Sequence, residues 1–382
     1  MDVKKTVTKI KEKIEKTAAY AELNDAAKNV SNIANKIKED GLKDVVMEYL
    51  HEDSIKKDPH FAKKQAIFDK IKEASTIIIH RHVHPDGDAL GSSYGLREIL
   101  RMSFPEKAIY SVGEDTVNYL QFMGSDDKVT EADYIDSLVI VVDTANSKRI
   151  SGESYNKGKE LVKIDHHINV EDYGDINYVR EEMPSTASII TDFFNTFKKE
   201  LKISQEGAMY LYLGTVTDTG RFRYSSVNGD TLRLAGTLLD YNFDTERMYA
   251  NLNLKDRNSM KLTGYVLNNF KTTKNGVSYI YISKKVQKKF KVSTEEATAQ
   301  VNVMDSVKGS LIWILFVEFD GIIRARLRSR FIGVNEIARE FNGGGHMQAS
   351  GASAKNKREM MKMVKLADKE LKKFKEENED VI

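Results

Sequence analysis

The sequence predicts an α/β protein: a domain built on a parallel sheet, a smaller α/β domain after it and a helical extension before it. Three observations carry this prediction. Between about residues 72 and 225, apolar runs alternate with stretches of helical period, the pattern of right-handed β-α-β units around a parallel sheet. Val139-Ile140-Val141-Val142 is apolar without a break, as suits a strand covered on both faces. Beyond about 277 the pattern changes to strands joined by Asp320-Gly321, the sequence of a type I′ hairpin turn.

Taken in order, residues 1–70 are rich in Lys, Glu and Ala. Their apolar residues recur at Val3, Val7, Ile10 and Ile14 and again at Val30, Ile33 and Ile37, which is helical spacing. Two or three amphipathic helices are expected here, packing on the core or on a partner. Residues 71–245 form the first domain, with strands expected at 76–81, 108–112, 137–142 and 160–164. Its helices are expected at 89–102, 116–123, 184–199 and 204–216. Residues 246–276 are expected as a helical linker, preceded by a packed helix carrying Leu232, Leu234, Leu238 and Leu239. Residues 277–382 form the second domain. Its strands are expected at 279–282, 310–319 and 322–327, its helices at 294–307 and 334–341, and a lysine-rich helix ends near Phe374.

Composition narrows the function. A net charge of +2 gives no strongly basic surface for gripping a long nucleic acid, so a short anionic substrate is expected. With no cysteine, disulfides, thiolate nucleophiles and zinc–thiolate sites are excluded. No apolar run approaches the ~20 residues of a membrane helix, and the first residues lack the apolar core of a signal peptide. A cytoplasmic protein without membrane contact is expected.

The chemistry gathers at His82-Val83-His84-Pro85-Asp86-Gly87-Asp88. Two imidazoles and two carboxylates lie in the turn between the strand ending Ile77-Ile78-Ile79 and the following helix. Open parallel sheets place their sites there, beyond the carboxyl ends of the strands. Three further segments end in similar groups: Asp143, Asp165-His166-His167 and Asp218. Any one aspartate after a strand reads most simply as a turn or helix cap. Four segments delivering carboxylate or imidazole to one sheet edge read instead as a metal centre of mixed N and O donors, suited to Mn²⁺, Mg²⁺ or Zn²⁺. In the second domain, Gly343-Gly344-Gly345-His346 offers backbone N–H groups that can approach a phosphate, or simply a tight turn. Arg326, Arg328 and Arg330 alternate along a strand and so share one face.

These residues resemble a known family. His82-x-x-Pro85-Asp86-x-Asp88, Asp143, Asp165-His166-His167 and Asp218 resemble the four motifs of the DHH phosphoesterase superfamily. Gly343 to His346, with Arg328 before it, resembles the signature of the DHH-associated C-terminal domain. The pairing is similar to the NrnA-type nano-RNase and PAP phosphatase subfamily. The resemblance covers about 72 to 370. It departs at Asn342, where the signature often has a fourth glycine, although asparagine tolerates a left-handed backbone.

The resemblance implies two Mn²⁺ ions. It places His82 and Asp86 on the first, Asp88, His166 and Asp218 on the second, and Asp143 on both. Water between two such cations loses a proton at neutral pH and attacks phosphorus without a covalent enzyme intermediate. His167 is expected to contact the phosphate or to orient His166, and Asp165 to hold an imidazole. Asp143, Asp165 and His167 are thus the expected catalytic residues. Arg328, Gly343, Gly344, Gly345 and His346 are expected to bind substrate, held between the two domains. His84 and His80 are expected to be a loop residue and a buried residue rather than ligands. The expected reaction is hydrolysis of very short oligoribonucleotides or pApA to 5′-mononucleotides, with possible 3′-phosphatase activity on pAp. Cyclic-di-AMP hydrolysis is the alternative; pyrophosphate hydrolysis and a non-catalytic adaptor role fit less well. A homodimer is expected.

Overall fold

The computed structural model describes residues 58–113 and 118–378. The helices expected within residues 1–57, the start of the one expected at 116–123 and the last four residues lie outside them. The chain divides into two compact units, with the boundary between Leu252 and Asn253.

The first unit opens with helix α1 (Phe61–Glu73), which buries Ile67, Phe68 and Ile71 against the main core. Strand β1 (Thr76–His80) and helix α2 (Gly87–Ser103) follow, then strands β2 (Ala108–Ser111), β3 (Leu138–Val142), β4 (Glu160–Asp165) and β5 (Ile176–Val179). These make a five-stranded parallel sheet in the order β2-β1-β3-β4-β5. Every residue of β3 is buried, because both sheet faces are covered. On one face Ile77, Ile79, Ile140 and Ile164 join a core with α2, α3 (Thr186–Thr196) and α4 (Gln205–Asp218). On the other, Ile78, Val139 and Val141 pack with Val112, Tyr134 and Ile150 from loops and short 3₁₀ turns. Residues 118–123 form a 3₁₀ helix rather than an α-helix.

Helices α5 (Gly229–Leu239) and α6 (Thr245–Asn253) complete this unit. The expected packing of α5 is corrected in part. Leu238 is buried, but Leu232 and Leu239 point to solvent.

The second unit starts with α7 (Arg257–Asn269), whose Leu262 and Val266 sit in one cluster with Ile280 and Trp313. Its strands are β6 (Lys271–Thr272), β7 (Val277–Ile282), β8 (Ile312–Phe319), β9 (Ile322–Ser329), β10 (Gly344–His346) and β11 (Ala349–Ala354). They form a mixed sheet in the order β10-β11-β9-β8-β7-β6, with β7 and β8 parallel. Strands β8 and β9 meet at Asp320-Gly321, both with positive φ (43° and 81°), as a type I′ turn requires. Short helices α8 (Lys284–Phe290), α9 (Thr294–Thr298) and α10 (Asn335–Arg339) flank the sheet; residues 299–304 continue α9 as a 3₁₀ turn. The last helix, α11 (Lys357–Glu377), buries Met360, Met363, Val364, Ala367 and Leu371 against one sheet face.

Candidate metal centre

The strand order decides which loops meet. Strands β1, β3 and β4 are neighbours and parallel, so their carboxyl ends lie side by side. After β1 comes the segment His82–Asp88, after β3 comes Asp143, and β4 ends on Asp165 before His166 and His167. Because β2 and β3 flank β1 on opposite sides, this edge is also the crevice where open α/β sheets bind ligands. Asp218 arrives by another route, at the last turn of α4. Helices α2 and α4 run antiparallel at glycine-limited distance. A Cβ on Gly87 would meet the Thr217 side chain at 2.4 Å, and one on Gly91 would meet the Tyr210 carbonyl oxygen at 2.5 Å. The start of α2, with Asp86 and Asp88, is thereby brought to the end of α4.

The result is two adjoining clusters. His82, Asp86 and Asp143 form one; Asp88, His166 and Asp218 form the other; and Asp143 also groups with His166 and His167. His82 Nε2 lies 3.4 Å from Asp143 Oδ2 and 3.9 Å from Asp86 Oδ1. His166 Nε2 lies 3.1 Å from Asp218 Oδ2, 3.6 Å from Asp143 Oδ1 and 3.9 Å from Asp88 Oδ2. The two Asp143 oxygens therefore face different imidazoles. Asp143 adopts φ +54°, a left-handed conformation uncommon outside glycine, so the chain turns out of β3 at this residue.

Each imidazole is oriented through its Nδ1. His82 Nδ1 is 2.8 Å from the Val83 carbonyl oxygen, His166 Nδ1 is 3.3 Å from the Met183 carbonyl oxygen, and His167 Nδ1 is 2.8 Å from Asp165 Oδ1. With Nδ1–H donated, Nε2 carries the lone pair that a metal takes up. The carboxylates are held as firmly. Asp88 accepts from Thr186 N (2.7 Å) and Ala187 N (2.9 Å) at the amino end of α3. Thr186 Oγ1 donates to Asp143 Oδ1 at 3.1 Å. Asp86 caps α2, its Oδ1 accepting from Asp88 N and Ala89 N. Sequence reasoning missed Thr186; the run Pro184-Ser185, with Ser185 capping α3, was its only signal.

The charges report a site in want of cations. Burial disfavours charge on His82, but the contacting Asp143 and then Asp86 outweigh it and push its pKa up to about 9. Burial likewise opposes charge on His166, and Asp218, Asp143 and Asp88 reverse this to hold it well above the usual range. Asp88 is pushed well up by burial and by the neighbouring Asp143 and Asp218 carboxylates. Asp143 is held low by His82, His167 and His166 despite its burial. Repelling carboxylates beside imidazoles that retain protons are what a multivalent donor set looks like before metal neutralises it. The mixed N and O chemistry fits a divalent first-row ion.

His84 of this segment and His80 at the end of β1 stand outside the clusters. His84 is exposed in the loop with φ +55°. His80 is buried, with Nδ1 2.7 Å from the Ser151 carbonyl oxygen and Nε2 2.9 Å from Tyr134 Oη.

Comparison with known proteins agrees with this geometry. Residues 76–215 match the family model for the DHH family N-terminal domain, and residues 261–373 match the DHHA1 domain. A probable bifunctional oligoribonuclease and PAP phosphatase NrnA from Streptococcus mutans is 41% identical over 76% of this chain and 93% of its own length. The bifunctional oligoribonuclease and PAP phosphatase NrnA of Bacillus subtilis is 40% identical over 73% of this chain and 89% of its own. The chain belongs to the DHH family of phosphoesterases. A crystal structure of an exopolyphosphatase-related protein from Bacteroides fragilis superposes with a TM-score of 0.74 and 29% identity, over 84% of this chain and 98% of that one. DHH phosphoesterases are metal-dependent, and the clusters around Asp143 can hold metal. Among the described residues, no helix is long and apolar enough to cross a membrane.

In the DHHA1 unit, the glycine run is not an open loop. Gly344 to His346 form β10, paired with Ala349 to Gly351 of β11, and β11 pairs in turn with β9, where Ala349 faces Arg328. A Cβ on Gly343 would lie 2.0 Å from the Gly351 carbonyl oxygen, and Gly345 sits at φ +137°. Backbone packing alone demands glycine at both positions. Gly344 has open space around it. Asn342 takes φ +54°, the conformation that asparagine tolerates better than most residues. Arg324 and Arg326 lie on the exposed face of β9, and Arg328 continues that row, half-buried. Arg330 lies past the strand end, its guanidinium 5.6 Å from the Trp313 ring centroid.

Proposed function

We propose that this chain hydrolyses very short oligoribonucleotides and linear dinucleotides such as pApA to 5′-mononucleotides, and removes the 3′-phosphate of pAp. The observation that carries this reading is Asp143, whose two oxygens face imidazoles of two separate donor clusters. The names of the relatives about 40% identical over most of their length supply the substrate class. We assign His82, Asp86 and Asp143 to one Mn²⁺ and Asp88, His166, Asp218 and the shared Asp143 to a second. Bound cations supply Lewis-acid polarisation of a phosphoryl group and acidify water.

The protein's own groups do the rest. Asp165 Oδ1 accepts a hydrogen bond from His167 Nδ1–H and so orients the ring. Burial opposes charge on His167, but Asp165 and Asp143 raise its pKa, which suits donation of a hydrogen bond to a phosphoryl oxygen. Thr186 and the amino end of α3 fix Asp143 and Asp88, so that the reacting groups need not reorganise. We assign nucleotide contacts in the DHHA1 unit to Arg328 and the run Gly343–His346. A cytoplasmic homodimer completes the proposal, with light scattering as the check on oligomeric state.

The experiment is chromatographic product analysis with Mn²⁺ on pApA, a five-residue RNA, pAp, cyclic-di-AMP and pyrophosphate. Faster cleavage of pApA, short RNA and pAp than of cyclic-di-AMP supports the proposal. Preferential opening of cyclic-di-AMP or pyrophosphate overturns the substrate assignment.

A further inference from the structure

A lysine lies between the buried aliphatic residues Val162 and Ile164 of a central strand. Lys163 is in the middle of β4, two residues before Asp165, and is fully buried. A buried ammonium is costly unless all three of its hydrogens are used. Here they meet three oxygens: the Ala145 carbonyl at 3.1 Å, Asn169 Oδ1 at 3.2 Å and the Glu171 carbonyl at 2.9 Å. The ammonium also lies 5.0 Å from the Tyr173 ring centroid and 3.7 Å from Asp165 Oδ2. That Asp165 oxygen is buried and accepts no hydrogen bond from a described residue.

The three acceptors belong to two segments. Ala145 follows Asp143 by two residues, while Asn169 and Glu171 follow the His166-His167 pair. Other bonds stitch the same two segments together. Tyr173 Oη donates to the Thr144 carbonyl at 2.8 Å, and the Glu171 carboxylate accepts from Ser147 N at 2.9 Å and Ser147 Oγ at 2.7 Å. Loops that carry functional groups are mobile unless something fixes them. One buried cation, with its aromatic neighbour, fastens the loop bearing Asp143 to the loop bearing His166 and His167.

We propose that Lys163 is a positioning residue for the metal centre, setting the distance between Asp143 and the Asp165-His166-His167 segment without touching substrate. A neutral side chain of similar length would leave three buried acceptors without a donor, and the two loops would separate. The inference rests on reading the Asp143 clusters as a metal centre.

The test uses full-length Lys163→Met and Tyr173→Phe, each with a thermal melt, Mn²⁺ calorimetry on the metal-free protein and pApA kinetics at saturating Mn²⁺. For Lys163→Met, Mn²⁺ affinity should fall about 10- to 100-fold, in the range found when groups supporting metal ligands are lost. At saturating Mn²⁺, kcat should fall while KM stays within about three-fold. Tyr173→Phe should show the same pattern with a smaller loss. A purely structural lysine would lower the melting temperature and leave the Mn²⁺ affinity of the folded protein within about two-fold of wild type; that result overturns the proposal. If Lys163→Met does not fold, Asn169→Leu, measured in the same way and removing one acceptor of the Lys163 ammonium, decides: weakened Mn²⁺ binding supports the proposal, and wild-type binding overturns it. Wild-type protein that binds no Mn²⁺ would instead bring down the metal-centre reading, and this inference with it.

Discussion

Replacing Gly91 by alanine should destabilise the protein, although alanine is the better helix former. The substitution in mid-helix gains about 1 kcal/mol of helix propensity. Against this, the new Cβ would stand 2.5 Å from the Tyr210 carbonyl oxygen and 2.9 Å from both Cα and N of Gly214. All three obstacles are backbone, so no side chain can swing aside. To reach an ordinary contact distance, α2 and α4 must part by roughly 0.9 Å, an overpacking cost of about 1–3 kcal/mol. The net loss is then up to about 2 kcal/mol, or a fall in Tm of up to roughly 8 °C for a unit of this size. The parting helices carry Asp86 and Asp88 at the start of α2 and Asp218 at the end of α4, which lie side by side. A displacement near 1 Å at a catalytic group costs on the order of 100-fold in rate. Gly236 on α5 is the matched control. A Cβ there meets nothing within 4 Å, so Gly236→Ala should stabilise by about 0.5–1 kcal/mol and leave activity unchanged. Calorimetric melts in chelator and initial rates on pApA read both effects. Gly91→Ala melting at or above the wild-type temperature with full activity would refute the account of the helix contact.

Three further outcomes follow from named groups. His80 is a pH-dependent weakness. Burial lowers its pKa to about 4, and both of its hydrogen bonds suit the neutral ring. Because the unfolded imidazole titrates near 6.5, stability contributed by the neutral ring is fully present above 6.5 and lost as pH falls from there towards 4. The loss approaches roughly 3 kcal/mol. Urea unfolding of metal-free wild type and His80→Gln from pH 7 to 4 should show profiles that diverge over this window; parallel profiles would refute it. Metal binding has the opposite dependence. His82 holds its proton up to about 9 in the metal-free site, so apparent Mn²⁺ affinity should climb with pH until about 9, with proton release on binding. Calorimetry in buffers of different ionisation enthalpy measures this, and an affinity flat from pH 6.5 to 9 would contradict it. Thr186→Val removes the hydroxyl bond to Asp143 but keeps the backbone bond to Asp88. Its kcat should fall about 10-fold, as for other groups that hold a metal ligand, with little change in melting.

Much of the first unit was legible because burial on two faces writes itself as uninterrupted apolar sequence, as in β1 and β3. The candidate donors that follow β1, β3 and β4 were legible because a parallel sheet must bring its strand ends to one edge; Asp218, at the end of α4, was legible through the family resemblance. What escaped notice depends on partners distant in sequence. Strand β5 is only four residues long, with Asn177 in it. Strand β11, Ala349-Ser350-Gly351-Ala352-Ser353-Ala354, has almost no intrinsic strand preference and exists because β9 and β10 flank it. The glycine run left a phosphate-binding stretch and a tight turn both open, and packing against β11 is what requires glycine at Gly343 and Gly345. Gly91 carries no signal of its own in the helical pattern; its need for glycine comes from the Tyr210 and Gly214 backbone opposite it. Thr186 is marked only by the Pro184-Ser185 cap before it and Lys163 by no local pattern; their meaning lies in acceptors that the fold supplies.

The central claim is that six side chains from four segments form one dinuclear centre joined by Asp143. The most direct measurement is Mn²⁺ stoichiometry by calorimetry and electron paramagnetic resonance, on wild type and Asp143→Ala, with a melt to show that the variant folds. The account predicts two ions per wild-type chain with a spin-coupled spectrum, and for Asp143→Ala loss of the coupling and an affinity at least about 100-fold weaker. One uncoupled ion in the wild type, or unchanged binding in Asp143→Ala, would contradict it.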